Sequence, residues 1–138
     1  MAAAELVLEG FQSGDNEKVK AGFAPGAVIT QWLGVKPPRS ATVDQMCKGL
    51  DQARGPNGLP VYTNVRRFRG PGSLVEQHTV TFPTGNEFMR PRRIEAVLVF
   101  ELGADGKCVR MDEFLHAKEG VMMLLTEAHT RPPRASKL

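Results

Sequence analysis

Apolar residues recur at three- to four-residue spacing in the first third of the chain and at every second residue over most of the remainder. In residues 4–13 Leu6, Val7, Gly10 and Phe11 share a helical face, and Gly14-Asp15 ends that helix and caps a second. The second is short: Glu17 and Lys18 precede Val19 and Phe23, and Ala24-Pro25-Gly26 stops it. Residues 27–33 are β-branched and aromatic enough for a strand, after which Gly34 and Pro37-Pro38 impose an irregular loop. Ser40 or Thr42 caps a third, amphipathic helix carrying Val43, Met46, Cys47 and Leu50, which Arg54-Gly55-Pro56-Asn57-Gly58 breaks. Strand-length segments at 61–68, 74–82, 93–102 and 107–116 come next, with turns at Pro83-Thr84-Gly85-Asn86 and Gly103-Ala104-Asp105-Gly106. The expected order is ααβαββββ, closing in an antiparallel meander. A last helix is expected over 120–130, its stripe of Val121, Met122, Leu124 and Leu125 assigned to packing or dimer contact. Residues 1–130 are thus read as one domain and 131–138 as a flexible tail.

Strand alternation sorts the later segments into faces. Leu74, Glu76, His78, Val80 and Phe82 share one face, so an acid and an imidazole stand on an otherwise apolar surface. Such a pair either lines a pocket or is hydrogen-bonded within the core. Ile94, Ala96, Leu98, Phe100 and Leu102 form an uninterrupted apolar wall. On the last strand Val109, Met111, Glu113 and Leu115 share a face opposite Cys108, Arg110, Asp112, Phe114 and His116. Glu113 is then a lone acid among apolar neighbours, where desolvation would fit it for acid/base work; a salt bridge to a neighbouring arginine is the alternative. A bulge would exchange the two faces and bring His116 inward instead. His78, Glu113 and His116 are therefore the catalytic candidates. Gln31, Trp32, Glu76, Leu98, Phe100 and Met111 are the ligand-binding ones, with Trp32 placed at the rim where it could stack on a flat ligand or serve the core or a dimer.

Composition narrows the chemistry. The 138 residues carry a formal charge of +3, too little to argue for nucleic acid, and the arginines at 66, 67, 69, 90, 92 and 93 have no interleaved aromatic pattern. They read as a solvated face, or as a site for an anionic ligand. No stretch approaches the roughly 20 apolar residues of a membrane helix, and the first residues lack a secretory leader's pattern. Cys47 and Cys108 are far apart in sequence, and His78, His116 and His129 are scattered, so neither a disulfide framework nor a metal is expected. Phosphate-binding glycine motifs and a serine-nucleophile context are absent, and no cofactor is expected.

Two phrases carry a resemblance: Ser13-Gly14-Asp15 leading into Val19-Lys20-Ala21-Gly22-Phe23-Ala24-Pro25-Gly26-Ala27-Val28, and Gly106-Lys107-Cys108-Val109-Arg110-Met111-Asp112-Glu113-Phe114-Leu115-His116. Together with the element order they resemble the SnoaL-like and nuclear transport factor 2-like superfamily, which includes ketosteroid isomerase and limonene epoxide hydrolase. The resemblance implies an α+β, cone-shaped fold, with N-terminal helices packed on a strongly curved, mostly antiparallel sheet around a conical pocket. It also implies a homodimer paired through the sheet's outer face. Where the isomerases carry their base, oxyanion tyrosine and protonated aspartate, this chain aligns Gln31, Val7 and Leu98, so that mechanism is not expected. Where the epoxide hydrolases end the last strand in an aspartate, this chain has His116, which alters the charge of any relay.

The expected function is binding of a small hydrophobic molecule, with cofactor-free isomerisation, cyclisation or hydrolysis by acid/base catalysis. A non-catalytic binding or dimerisation module is the alternative, because the fold hosts both. The closing Ser136-Lys137-Leu138 spells a peroxisomal import signal, so a peroxisomal location and an import receptor are expected in a eukaryotic source; the cytoplasm is the alternative.

Overall fold

The computed structural model describes residues 2–34, 37–54, 58–83 and 92–117. The expected helix at 120–130 and the Ser-Lys-Leu ending lie outside the described residues.

Helices α1 (Ala3–Ser13) and α2 (Asn16–Gly22) form a tight hairpin. Gly14 turns it in the left-handed conformation with its N–H on the Gly10 carbonyl, and Asp15 caps α2 by accepting from the N–H groups of Glu17 and Lys18. The two helices touch backbone to backbone. A Cβ on Gly10 would stand 2.7 Å from Val19 Cγ2 and 2.8 Å from the Asp15 carbonyl oxygen, and one on Gly22 would strike Val7 Cγ2. Helix α3 (Val43–Arg54) opens with a reciprocal cap: Thr42 Oγ1 accepts from the Gln45 N–H, and Gln45 Oε1 accepts from the Thr42 N–H. Thr42, not Ser40, is the capping residue.

Strands β1 (Phe23–Trp32), β2 (Arg39–Ala41), β3 (Val61–Gly70), β4 (Ser73–Phe82), β5 (Arg92–Leu102) and β6 (Cys108–Ala117) form one sheet in the order β2-β1-β6-β5-β4-β3. Only the β1–β6 pair is parallel. The pattern missed β2, a three-residue strand that pairs with β1 inside the segment read as loop and cap. It also placed Ala24-Pro25-Gly26 outside the first strand. Here Phe23 already pairs with Cys108, and the intervening residues form an irregular stretch before Val28 meets Arg110, with Gly26 at φ 75°.

Two further register shifts bend the sheet and re-aim side chains. In β3, Asn64 (φ 55°) lies in an extra-residue stretch between Thr63 and Arg66, so Tyr62 and Arg67 both face inward although five positions apart. In β6, a shift beside Leu102 puts Cys108 in the core and leaves Val109 36% exposed, correcting the expected alternation there. From Met111 onward the expected faces hold, so Glu113 stays inward and His116 outward.

The main core lies between the α1–α2 hairpin and the inner face of the sheet, around Leu8, Phe11, Ile29, Phe100 and Met111. A smaller cluster of Val80, Phe82 and Ile94, flanked by Tyr62, Ala53 and Leu115, closes the other end. Between the two clusters the packing opens.

Candidate functional site

The opening is a cavity of about 80 Å³ between α3 and the inner faces of β1, β3, β4, β5 and β6. Its walls are apolar, with Met46, Leu50 and Ala53 from the helix facing Val80, Ile94 and Leu98 from the sheet. Four polar side chains interrupt them: Gln31, Tyr62, His78 and Glu113. Ala96 stands across β4–β5 from His78 and across β5–β6 from Leu115, and its small side chain leaves the room. His78 and Glu113 stand on β4 and β6 with β5 between them; His78 is in register with Ala96 and Glu113 with Leu98, so they lie two strand spacings across the sheet and two residues along it, roughly 12 Å apart at the backbone.

Below the cavity floor, His78 is held by a buried carboxylate. Glu76 Oε1 lies 2.7 Å from His78 Nδ1, and its other oxygen accepts from Arg67 Nε at 2.5 Å. Burial alone would raise the Glu76 pKa, but hydrogen bonds from His78 and Arg67, with their charges, outweigh it and hold the carboxyl below its ordinary range. An anionic Glu76 fixes the proton on Nδ1, which leaves Nε2 as the nitrogen available to a ligand. The Tyr62 ring stands edge-on to the imidazole, with centroids 4.9 Å apart, and burial raises its own hydroxyl's pKa.

Opposite, Glu113 joins no ion pair among the described residues. Gln31 Nε2 donates to its Oε2 at 3.2 Å. Desolvation pushes the Glu113 pKa up, against smaller lowering effects of that hydrogen bond and of the His78 charge. The site therefore pairs an oriented imidazole with a carboxyl biased toward its neutral, proton-donating form.

Of the residues picked from sequence, the cavity brings together His78, Glu113, Gln31 and Leu98. Glu76 lies beneath it, a partner of His78 rather than a ligand contact. Phe100 and Met111 are fully buried core residues, because they lie farther along their strands toward the helical hairpin. Trp32 faces the outer side of the sheet, stacked on Phe114 at 5.7 Å with its Nε1 donating to Asp112, so it does not form the expected rim. His116 is also on the outer face, exposed and registered beside Glu95. Arg67 and Tyr62 were missed: plain alternation along β3 places them on opposite faces, and the one warning is an asparagine, a left-handed-tolerant residue, in mid-strand. Val7 is core.

Among the described residues no group of three potential ligands could hold a metal. Cys47 and Cys108 are buried free thiols whose pKa values burial raises, that of Cys108 to about 11, so neither is a ready nucleophile.

No protein-family model matches the sequence, and no curated protein matches it significantly. Solved structures do match. TerC, co-crystallised with polyporic acid, superposes with a TM-score of 0.62 over 91% of this chain and 95% of its own, at 14% identity. An M. tuberculosis epoxide hydrolase of limonene-epoxide-hydrolase type gives 0.59 over 92% and 86%, at 16% identity. A candidate SnoaL-like polyketide cyclase from Shewanella putrefaciens gives 0.64 over 82% and 77%, at 11% identity. With three helices on a six-stranded, mostly antiparallel sheet, the described residues have the cone-shaped α+β fold of these SnoaL-like and nuclear transport factor 2-like structures.

Proposed function

We propose that the cavity binds a small, mainly hydrophobic molecule and catalyses a cofactor-free proton transfer on it. His78 acts as base and Glu113 as acid or hydrogen-bond donor. The observation that carries this reading is the Glu76–His78 contact beneath an apolar cavity whose far wall holds Glu113. Nε2 takes a proton from carbon or water. Glu113 supplies a proton, or a hydrogen bond, to the oxygen on which charge develops. Glu76 and Arg67 are positioning residues. The same pair would serve isomerisation, cyclisation or hydration, and the activities named for the structural neighbours fall in that range.

The test is proton exchange in D2O with small cyclic ketones as probes, monitored by NMR. The wild type is expected to exchange the α-protons. His78→Gln and Glu113→Gln are each expected to slow exchange by about 10²- to 10⁴-fold. Wild-type exchange no faster than buffer, or undiminished in both variants, would contradict the mechanism.

A second reading, a non-catalytic binding module, is favoured by the cavity's size, since about 80 Å³ falls short of the roughly 300 Å³ at which ligand pockets begin. It predicts binding without exchange. In either reading two copies pair through the outer face of the sheet, where Val28, Trp32 and Phe114 are 46%, 36% and 44% exposed.

A further inference from the structure

Beside the cavity lies a cationic groove that the acid/base reading does not use. Strand β2 pairs with β1 so that Arg39 stands directly across from Gln31. On α3, Gln45, Lys48 and Gln52 recur at three- to four-residue spacing and so share a face. With Ser40 these side chains line a groove of about 260 Å³ that has Gln31 and Gly49 in common with the cavity.

Among the described residues the groove is lined by two cations and no acid. Among the described residues, Lys18, Lys20, Arg54, Arg67, Arg69 and Arg110 join ion pairs, whereas Arg39, Lys48, Arg66, Arg93 and Lys107 join none; of these five only Arg39 and Lys48 line this groove. Among the described residues Arg39 Nη1 is buried with no hydrogen-bond partner, as are Nε and Nη2 of Arg54, which lies outside the groove. A buried guanidinium nitrogen that has lost its water and gained nothing is costly to the fold, and an incoming acceptor offsets that cost. Gln45 is oriented too: its Oε1 is committed to the Thr42 N–H, so its Nε2 is the end left to donate.

We propose that Arg39 and Lys48 bind the carboxylate of an amphipathic ligand whose apolar end occupies the adjoining cavity, with Gln31 at the seam between the two. This rests on the reading of the cavity as a ligand site and adds the ligand's class, a small carboxylic acid rather than a neutral hydrophobe. The arginine offers paired N–H donors that match a carboxylate, and the lysine adds a mobile point charge. A bound acid would then be anchored on the β2 side of Gln31, with the carbon next to its apolar end between His78 and Glu113.

The experiment is calorimetric titration of the full chain with trans-cinnamate and with cinnamamide, which share a shape and differ in charge. The acid is expected to bind about tenfold more tightly than the amide at low salt. In Arg39→Gln/Lys48→Gln that preference is expected to shrink to about twofold or less, with cinnamamide affinity unchanged. Lys48→Gln alone, at an exposed helix position, is expected to lose part of the preference with no change in thermal stability. Equal binding of acid and amide to the wild type, or an undiminished preference in both variants, would overturn the proposal and leave the cavity reading standing. If neither probe binds, the reading of the cavity as a ligand site fails and this proposal fails with it.

Discussion

At the scale of the residue, two carboxylates on neighbouring parts of one sheet face have been driven in opposite directions. Glu76 is fully buried yet flanked by Arg67 and His78, and its pKa is held below the ordinary 4.5. Its ionised form therefore stabilises the fold above about pH 4.5, and that contribution is lost as pH falls through the lowered value. Glu76→Gln is expected to cost about 1–3 kcal/mol at pH 7, since it leaves Arg67 and the His78 Nδ1 proton with a poorer acceptor. It should also flatten the acid limb of the stability curve; urea melts between pH 3 and 7 measure both effects. Glu113 has the reverse sign. With its pKa raised by desolvation, its contribution to stability is fully present below 4.5 and is lost as pH rises through the folded value. Glu113→Gln, uncharged at every pH, is expected to leave thermal stability at pH 7 equal to the wild type or higher. A clear fall in melting temperature would mark Glu113 as a structural group, not a site group.

At the scale of the element, close approach decides more than propensity does. The α1–α2 hairpin is built on Gly10, whose missing side chain lets the Asp15 carbonyl and Val19 come within contact. Gly10→Ala raises helix propensity yet is expected to destabilise by about 1–3 kcal/mol, because the atom it strikes is backbone and does not yield. Chemical denaturation would show the sign; a gain in stability would mean the hairpin is looser than described. The hairpin, the Asp15 cap and the inner faces of β4 and β5 were legible in the sequence, because local spacing and capping chemistry fix them. β2 was not, since three residues carry no period. Nor were the inward turns of Arg67 and Cys108, which depend on irregularities in β3 and at the β5–β6 edge that simple alternation does not encode. Half of the candidate site was therefore readable: His78 and Glu113 from alternation, but their partners Arg67 and Tyr62 only from the register between strands.

At the scale of the whole molecule, the sheet has an inner face that encloses the core and the cavity, and an outer face with exposed apolar side chains. Trp32 and Phe114, stacked and in part exposed, stand on the outer face of the neighbouring strands β1 and β6, with Val28 on the same face of β1. Phe114→Arg would place an unpaired charge in any interface formed there, and is expected to turn a dimer into a monomer in sedimentation velocity with little change in the monomer's fold. A monomeric wild type would contradict that pairing. The two faces are independent enough for cavity and surface to be altered separately, which makes the central question accessible. It is whether the space between His78 and Glu113 receives a molecule. An NMR titration of the wild type and Ala96→Leu with a panel of small cyclic ketones and aromatic acids addresses it most directly, because the added leucine fills the gap across from His78. The account predicts amide shifts clustered at Gln31, His78, Leu98 and Glu113 in the wild type and none in Ala96→Leu. No perturbation by any member of the panel, or one unchanged in the filled variant, would contradict it.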